Sequence, residues 1–127
     1  MDLIKTLKEE HSQILSLFDQ IDQLTDTAKI KELTTTLADI VTKHLYKEDT
    51  ILYPNLAKSK NEEIQHIGSV FSSTMPDYVK DFTSVVTTIL NTQEITPEIL
   101  TQYQKIRDKI KNRVTVEETI LFPSFEL

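Results

Sequence analysis

Residues 48–54 read Glu48-Asp49-Thr50-Ile51-Leu52-Tyr53-Pro54, and residues 117–123 read Glu117-Glu118-Thr119-Ile120-Leu121-Phe122-Pro123. Five of the seven positions are identical, and the other two, Asp49/Glu118 and Tyr53/Phe122, keep their chemical type. The copies lie 69 residues apart, and the same offset sets His44 opposite Arg113. A chain that repeats such a stretch reads as two related halves, and a site on the axis between them draws equivalent side chains from each.

Upstream of the first copy, Ile30, Leu33, Leu37, Ile40, His44, Glu48 and Ile51 recur at steps of three and four. That is the period of a helix with one face toward a core, and it predicts a helix over 27–57 with Asp26 as its cap. Upstream of the second copy, Thr96-Pro97-Glu98 supplies a capping hydroxyl, a proline suited to the first helical position and an acidic first turn. Ile99, Tyr103, Ile106, Ile110, Arg113, Glu117 and Ile120 then share one face. A further helix over 2–24 carries Ile4, Leu7, His11, Ile14, Phe18 and Ile21. After the polar link at 59–61 the pattern runs through Ile64, His66, Ile67, Val70 and Phe71, meets Pro76, and resumes at Val79, Phe82, Val85, Val86 and Ile89. That stretch is one kinked helix or two short ones. His11 and His66 match more loosely at an offset of 55. Short links between four periodic segments predict an all-α, up-down-up-down antiparallel four-helix bundle, with 1–127 as a single domain.

Composition narrows the function classes. The only glycine is Gly68, too few for hairpins or a phosphate-cradling loop. No cysteine is present, which removes disulfides, thiolate metal sites and thiol nucleophiles. A net charge of −6 without a basic stripe argues against nucleic acid as a partner. No apolar stretch approaches a membrane span of ~18 residues. Residues 1–11 contain no uninterrupted apolar segment, so the expectation is a cytoplasmic protein.

The chemistry lies in the polar residues that interrupt the apolar stripes. Burying His and Glu is costly unless something satisfies them, and a metal ion does so. His44 and Glu48 are four apart and project from one helix face. His11, His66 and Glu117 add one candidate ligand from each of the other helices. Imidazole and carboxylate without sulfur favour iron, manganese or zinc. Tyr46, Tyr53, Tyr78 and Tyr103 read as packing residues, with Tyr53 part of the helix-end signature.

This pattern resembles the hemerythrin-like (HHE cation-binding) family over nearly the whole chain. His11 matches the histidine of the first helix. His44 and Glu48, followed by Leu52-Tyr53-Pro54, match the His-x-x-x-Glu motif of the second. His66 matches the third, and Glu117 with Leu121-Phe122-Pro123 matches the fourth, where Arg113 stands in the histidine position. The resemblance implies a non-haem di-iron centre that binds or senses dioxygen, nitric oxide or peroxide. It also implies that His11 and His44 serve one iron, and that His66 and the residue at 113 serve the other. Arginine offers no lone pair to a metal, so the expectation becomes a one-iron or altered site. At that position Arg113 either pairs with Glu48 and Glu117 or reaches water. Two other readings stand beside this one. The first is a degenerate, metal-free bundle used for protein interaction. The second is an iron enzyme of oxidative or nitrosative stress defence. No specific protein partner follows from the residues.

Overall fold

Asp2 opens the first helix. Its carboxylate accepts from the backbone N–H of Ile4 at 3.0 Å and of Lys5 at 3.4 Å, satisfying two donors that a helix start leaves free. The same chemistry recurs at each later start. Asp26 accepts from Ala28 at 2.9 Å, Asn61 from Glu63 at 3.0 Å, and Thr96 from Ile99 at 3.2 Å. These caps begin α1 (Leu3–Asp22), α2 (Thr27–Lys47), α4 (Glu62–Asn91) and α5 (Pro97–Val116). A one-turn helix, α3 (Tyr53–Leu56), lies between α2 and α4. The computed structural model describes residues 2–125. Of the expected 1–127 span, Met1, Glu126 and Leu127 lie outside the described residues. No strand occurs among the described residues.

The four long helices close a ring: α1 packs on α2, α2 on α4, α4 on α5, and α5 on α1. This is the expected helical bundle. Its core runs the length of the ring, from Ile30 and Ile89 to Leu52 and Leu121. Helix α4 is one continuous helix of 30 residues with Pro76 inside it, which decides between the two paths left open by the sequence. Gly68 makes room for its contact with α3, because a Cβ there would lie 2.9 Å from Leu56 Cβ.

Both copies of the repeated stretch form a π turn, Glu48–Leu52 after α2 and Glu117–Leu121 after α5. The backbone N–H of Tyr53 reaches the carbonyl of Glu48, and that of Phe122 reaches the carbonyl of Glu117. Pro54 and Pro123 follow directly. A proline has no N–H to give and crowds the carbonyl four residues back, and a widened turn relieves that crowding. The wider turn corrects the sequence reading at two matched positions. Ile51 and Ile120, expected on the inner face, are 49% and 38% exposed, while Leu52 and Leu121 are fully buried.

Candidate metal centre

His11 lies between Leu7 and Ile14 on the buried stripe of α1, and His44 follows Leu37 and Val41 on that of α2. Glu48 and Glu117 are the first residues of the two π turns. None of the four is more than 3% exposed. Each offers one ligand atom, and these atoms all lie within 4.8 Å of one another.

The rings are aimed alike. His11 Nε2 faces Glu117 Oε1 at 3.0 Å and Glu48 Oε2 at 3.9 Å, and His44 Nε2 faces Glu48 Oε2 at 3.0 Å. Each Nδ1 is held from outside by a second carboxylate. Glu118 Oε2 lies 2.7 Å from His11 Nδ1, and Glu10 Oε1 lies 3.0 Å from His44 Nδ1. Lys47 in turn pairs with Glu10. Phe122 stacks on the His11 ring at 5.4 Å. A carboxylate behind an imidazole sets its tautomer and directs the other nitrogen's lone pair inward. Sequence reasoning missed Glu10 and Glu118. The signal available was their position, each one residue from a ligand candidate.

Tyr53 packs in the core as expected, and its hydroxyl also enters the cluster. The hydroxyl lies within hydrogen-bond reach of both carboxylates, 3.1 Å from Glu48 Oε1 and against Glu117 Oε2, with a single proton to donate between them. The π turn is the reason, since a five-residue turn sets Tyr53 above Glu48. The remaining oxygen, Glu48 Oε2, is buried and makes no hydrogen bond, despite its closeness to His44 Nε2. An orphaned carboxylate oxygen facing two imidazole nitrogens fits a cation well. The donor set of two imidazoles and two carboxylates suits iron, manganese or zinc.

The charges at the cluster are unequal. Burial alone would depress His11, but Glu117, Glu48 and Glu118 overcome it and hold its pKa up at about 10. Burial alone would raise Glu48, but the facing His11 and His44 keep it well below the usual carboxylate range. Glu117 is pushed up to about 8 by burial and by the charge on Glu48. Metal-free, ionisation of the pair is therefore favoured at Glu48 over Glu117. Burial raises the Tyr53 phenol well above its ordinary value, so it remains a donor.

Arg113 does neither of the two things expected of it. No ion pair joins it to Glu48 or Glu117 among the described residues, and it does not reach out to water, being 9% exposed. Its guanidinium lies 4.3 Å from the Phe71 ring centre, 4.6 Å from Tyr78 and 5.3 Å from Tyr53. Nη2 donates to the Phe71 carbonyl at 2.8 Å, and Nε donates to the Tyr53 hydroxyl at 3.3 Å. His66 is not brought to the cluster. It is exposed, two residues from both Ile64 and Gly68, which place their own side of α4 inward. A step of two turns a helical residue to the opposite face. The positions α4 sends inward at this level are Met75 and Tyr78, and neither is a metal ligand of the expected kind.

The hemerythrin HHE cation-binding domain family matches residues 2–125. The chain belongs to that family. No curated protein and no solved structure matches the chain. Against the family pattern this hemerythrin-like chain keeps His11, His44, Glu48 and Glu117 together, turns His66 outward, and encloses Arg113 in aromatic rings.

A cavity of about 10 Å³, the size of a single water, adjoins the cluster with Ile14, Val41 and Ile110 among its walls. Tyr78 and Arg113 line it too, and both also line an outer cavity of about 490 Å³ between α4 and α5. The two spaces meet at these side chains.

Proposed function

We propose that this hemerythrin-like protein holds a redox-active metal, iron, through His11, His44, Glu48 and Glu117, and binds or senses a small oxidant there. The observation that carries the reading is the orphaned Glu48 Oε2 between two imidazole nitrogens whose outer faces are already tied to Glu10 and Glu118. Side chains so arranged are prepared for a cation before it arrives. Iron held there would supply Lewis-acid and redox chemistry toward a small diatomic or peroxide ligand. The chain's own part is to exclude everything larger. The room beside the donors is one water in size, with Ile14, Val41 and Ile110 among its walls, which limits the site to ligands of the smallest class, that of dioxygen, nitric oxide or peroxide. Tyr78 and Arg113 form the wall such a ligand passes on its way from the outer cavity. Tyr53 keeps a proton between the two carboxylates, which holds them in place without charge of its own. No helix among the described residues is long and apolar enough to cross a membrane.

The test is metal content by elemental analysis after anaerobic purification with ferrous iron supplied, followed by optical titration with nitric oxide. Bound iron and a saturable nitrosyl spectrum are expected. A protein that folds and retains no metal would sink the reading in favour of a metal-free interaction bundle.

A further inference from the structure

The two halves of the repeat suggest what has become of the second metal position. Arg113 occupies the place that His44 occupies in the other half. Its positive charge lies in an enclosure of Tyr53, Phe71 and Tyr78, with the Phe71 carbonyl as an anchor. Rings present their negative faces to a cation, so these contacts hold the guanidinium where it is. Nε touches the Tyr53 hydroxyl, and that hydroxyl touches Glu48 and Glu117. The cation therefore acts on both carboxylates through one phenol. Meanwhile α4 brings no imidazole or carboxylate to the cluster, since His66 faces outward.

We propose that Arg113 is a permanent cation built into the place of a second metal ion, so that the centre takes one divalent ion per chain, on the side of α1 and α2. This rests on the metal-binding reading above and goes further. The guanidinium balances the buried carboxylates in the metal-free protein, and its like charge keeps a second ion out. Arg113 is thus a positioning residue that sets the number of metals, and it coordinates nothing itself.

Two effects of opposite sign test it. Removing the charge while keeping an apolar side chain, Arg113→Met, takes a cation away from the bound ion and a counter-charge away from the empty site. Cobalt(II) affinity of the full chain, read by calorimetric titration, is then expected to rise several-fold. The urea midpoint of the metal-free form is expected to fall. Arg113→Lys keeps the charge and stays close to the parent in both. The parent binds one cobalt per chain by elemental analysis. A merely structural arginine would loosen the site, so weaker cobalt binding by Arg113→Met overturns the proposal, as does a parent that holds two ions. A parent that holds none overturns the metal-binding reading, and the inference with it. A parent that holds one ion, with Arg113→Met unchanged in affinity and midpoint, overturns the inference alone.

Discussion

The stretch from His44 to Pro54 and the stretch from Arg113 to Pro123 share a backbone and differ in which groups they bring to the axis. Each ends a long helix in a π turn, and each turn opens on a buried glutamate aimed at the axis. From there they part. The first places an imidazole beside its glutamate and a phenol above it. The second places a guanidinium among aromatic rings, and its aromatic, Phe122, stacks on His11. The carboxylates answer accordingly, with Glu48 held below the usual carboxylate range by the imidazoles and Glu117 pushed above it by burial and by Glu48. The difference teaches that the repeat conserves shape and a glutamate through the π turn, while two substitutions, Arg for His and Phe for Tyr, separate a half that adds an imidazole and a phenol from a half that adds a guanidinium.

The largest test of that asymmetry removes the donor half's histidine. Losing an outer partner of a ligand costs roughly 10–100-fold in metal affinity, and losing the ligand costs more. His44→Ala is therefore expected to lower ferrous or cobalt affinity by more than ~100-fold. His66→Ala, on the exposed face of α4, leaves affinity at the parental value. Equal losses in the two variants, measured by competition with a chromophoric chelator, would mean that α4 turns to face the ion and that the halves are alike after all.

The reach of the sequence can be judged from the same residues. The bundle was legible because His11, His44 and their apolar neighbours follow the helical period without a break. The cluster was legible because that period places polar residues where only buried ones belong. Three things were not. The π turns were hidden because steps of three and four carry Ile51 and Ile120 inward, and only the wider turn sets Leu52, Tyr53, Leu121 and Phe122 there instead. His66 was misplaced because apolar residues stand at 64, 67, 70 and 71, which leaves the phase of α4 open until its neighbours choose Ile64, Gly68, Met75 and Tyr78. Glu10 and Glu118 passed for ordinary surface charges, since a carboxylate at the edge of a stripe looks solvated until its partner is seen.

A smaller effect comes from protonation. In the metal-free protein at pH 7, His11 keeps its proton because its pKa is raised to about 10, and Glu117 keeps its own because its pKa is raised to about 8. An ion needs the lone pairs those protons occupy, so binding releases them. The sign follows: affinity rises with pH, by about tenfold per unit for each proton displaced. The slope decreases once Glu117 has lost its proton above about 8. Cobalt titration from pH 6 to 9 in several buffers would read both affinity and proton release. A slope of only one proton below pH 8 would show that the two carboxylates are alike in charge, which erases the contrast between Glu48 and Glu117.

The smallest effect compares the two carboxylates behind the imidazoles. Glu10 reaches from α1 to His44 and is itself pinned by Lys47, with its side chain 15% exposed. Glu118 reaches from the second π turn to His11 and is 38% exposed. A hydrogen bond to a carboxylate in a dry setting is stronger than one that water competes for. Replacing the carboxylate by an amide keeps the size and removes the charge that makes the imidazole a better donor. Glu10→Gln is therefore expected to weaken cobalt binding by about tenfold, the lower end of the range for outer partners. Glu118→Gln loses less, because water already shares its acceptor, and Glu117 and Phe122 still orient the His11 ring from its other sides. The urea midpoint of the metal-free form, taken alongside, separates loss of affinity from loss of fold. A greater loss in Glu118→Gln than in Glu10→Gln would reverse the order of the two imidazoles and make His11, not His44, the ligand that depends more on its support.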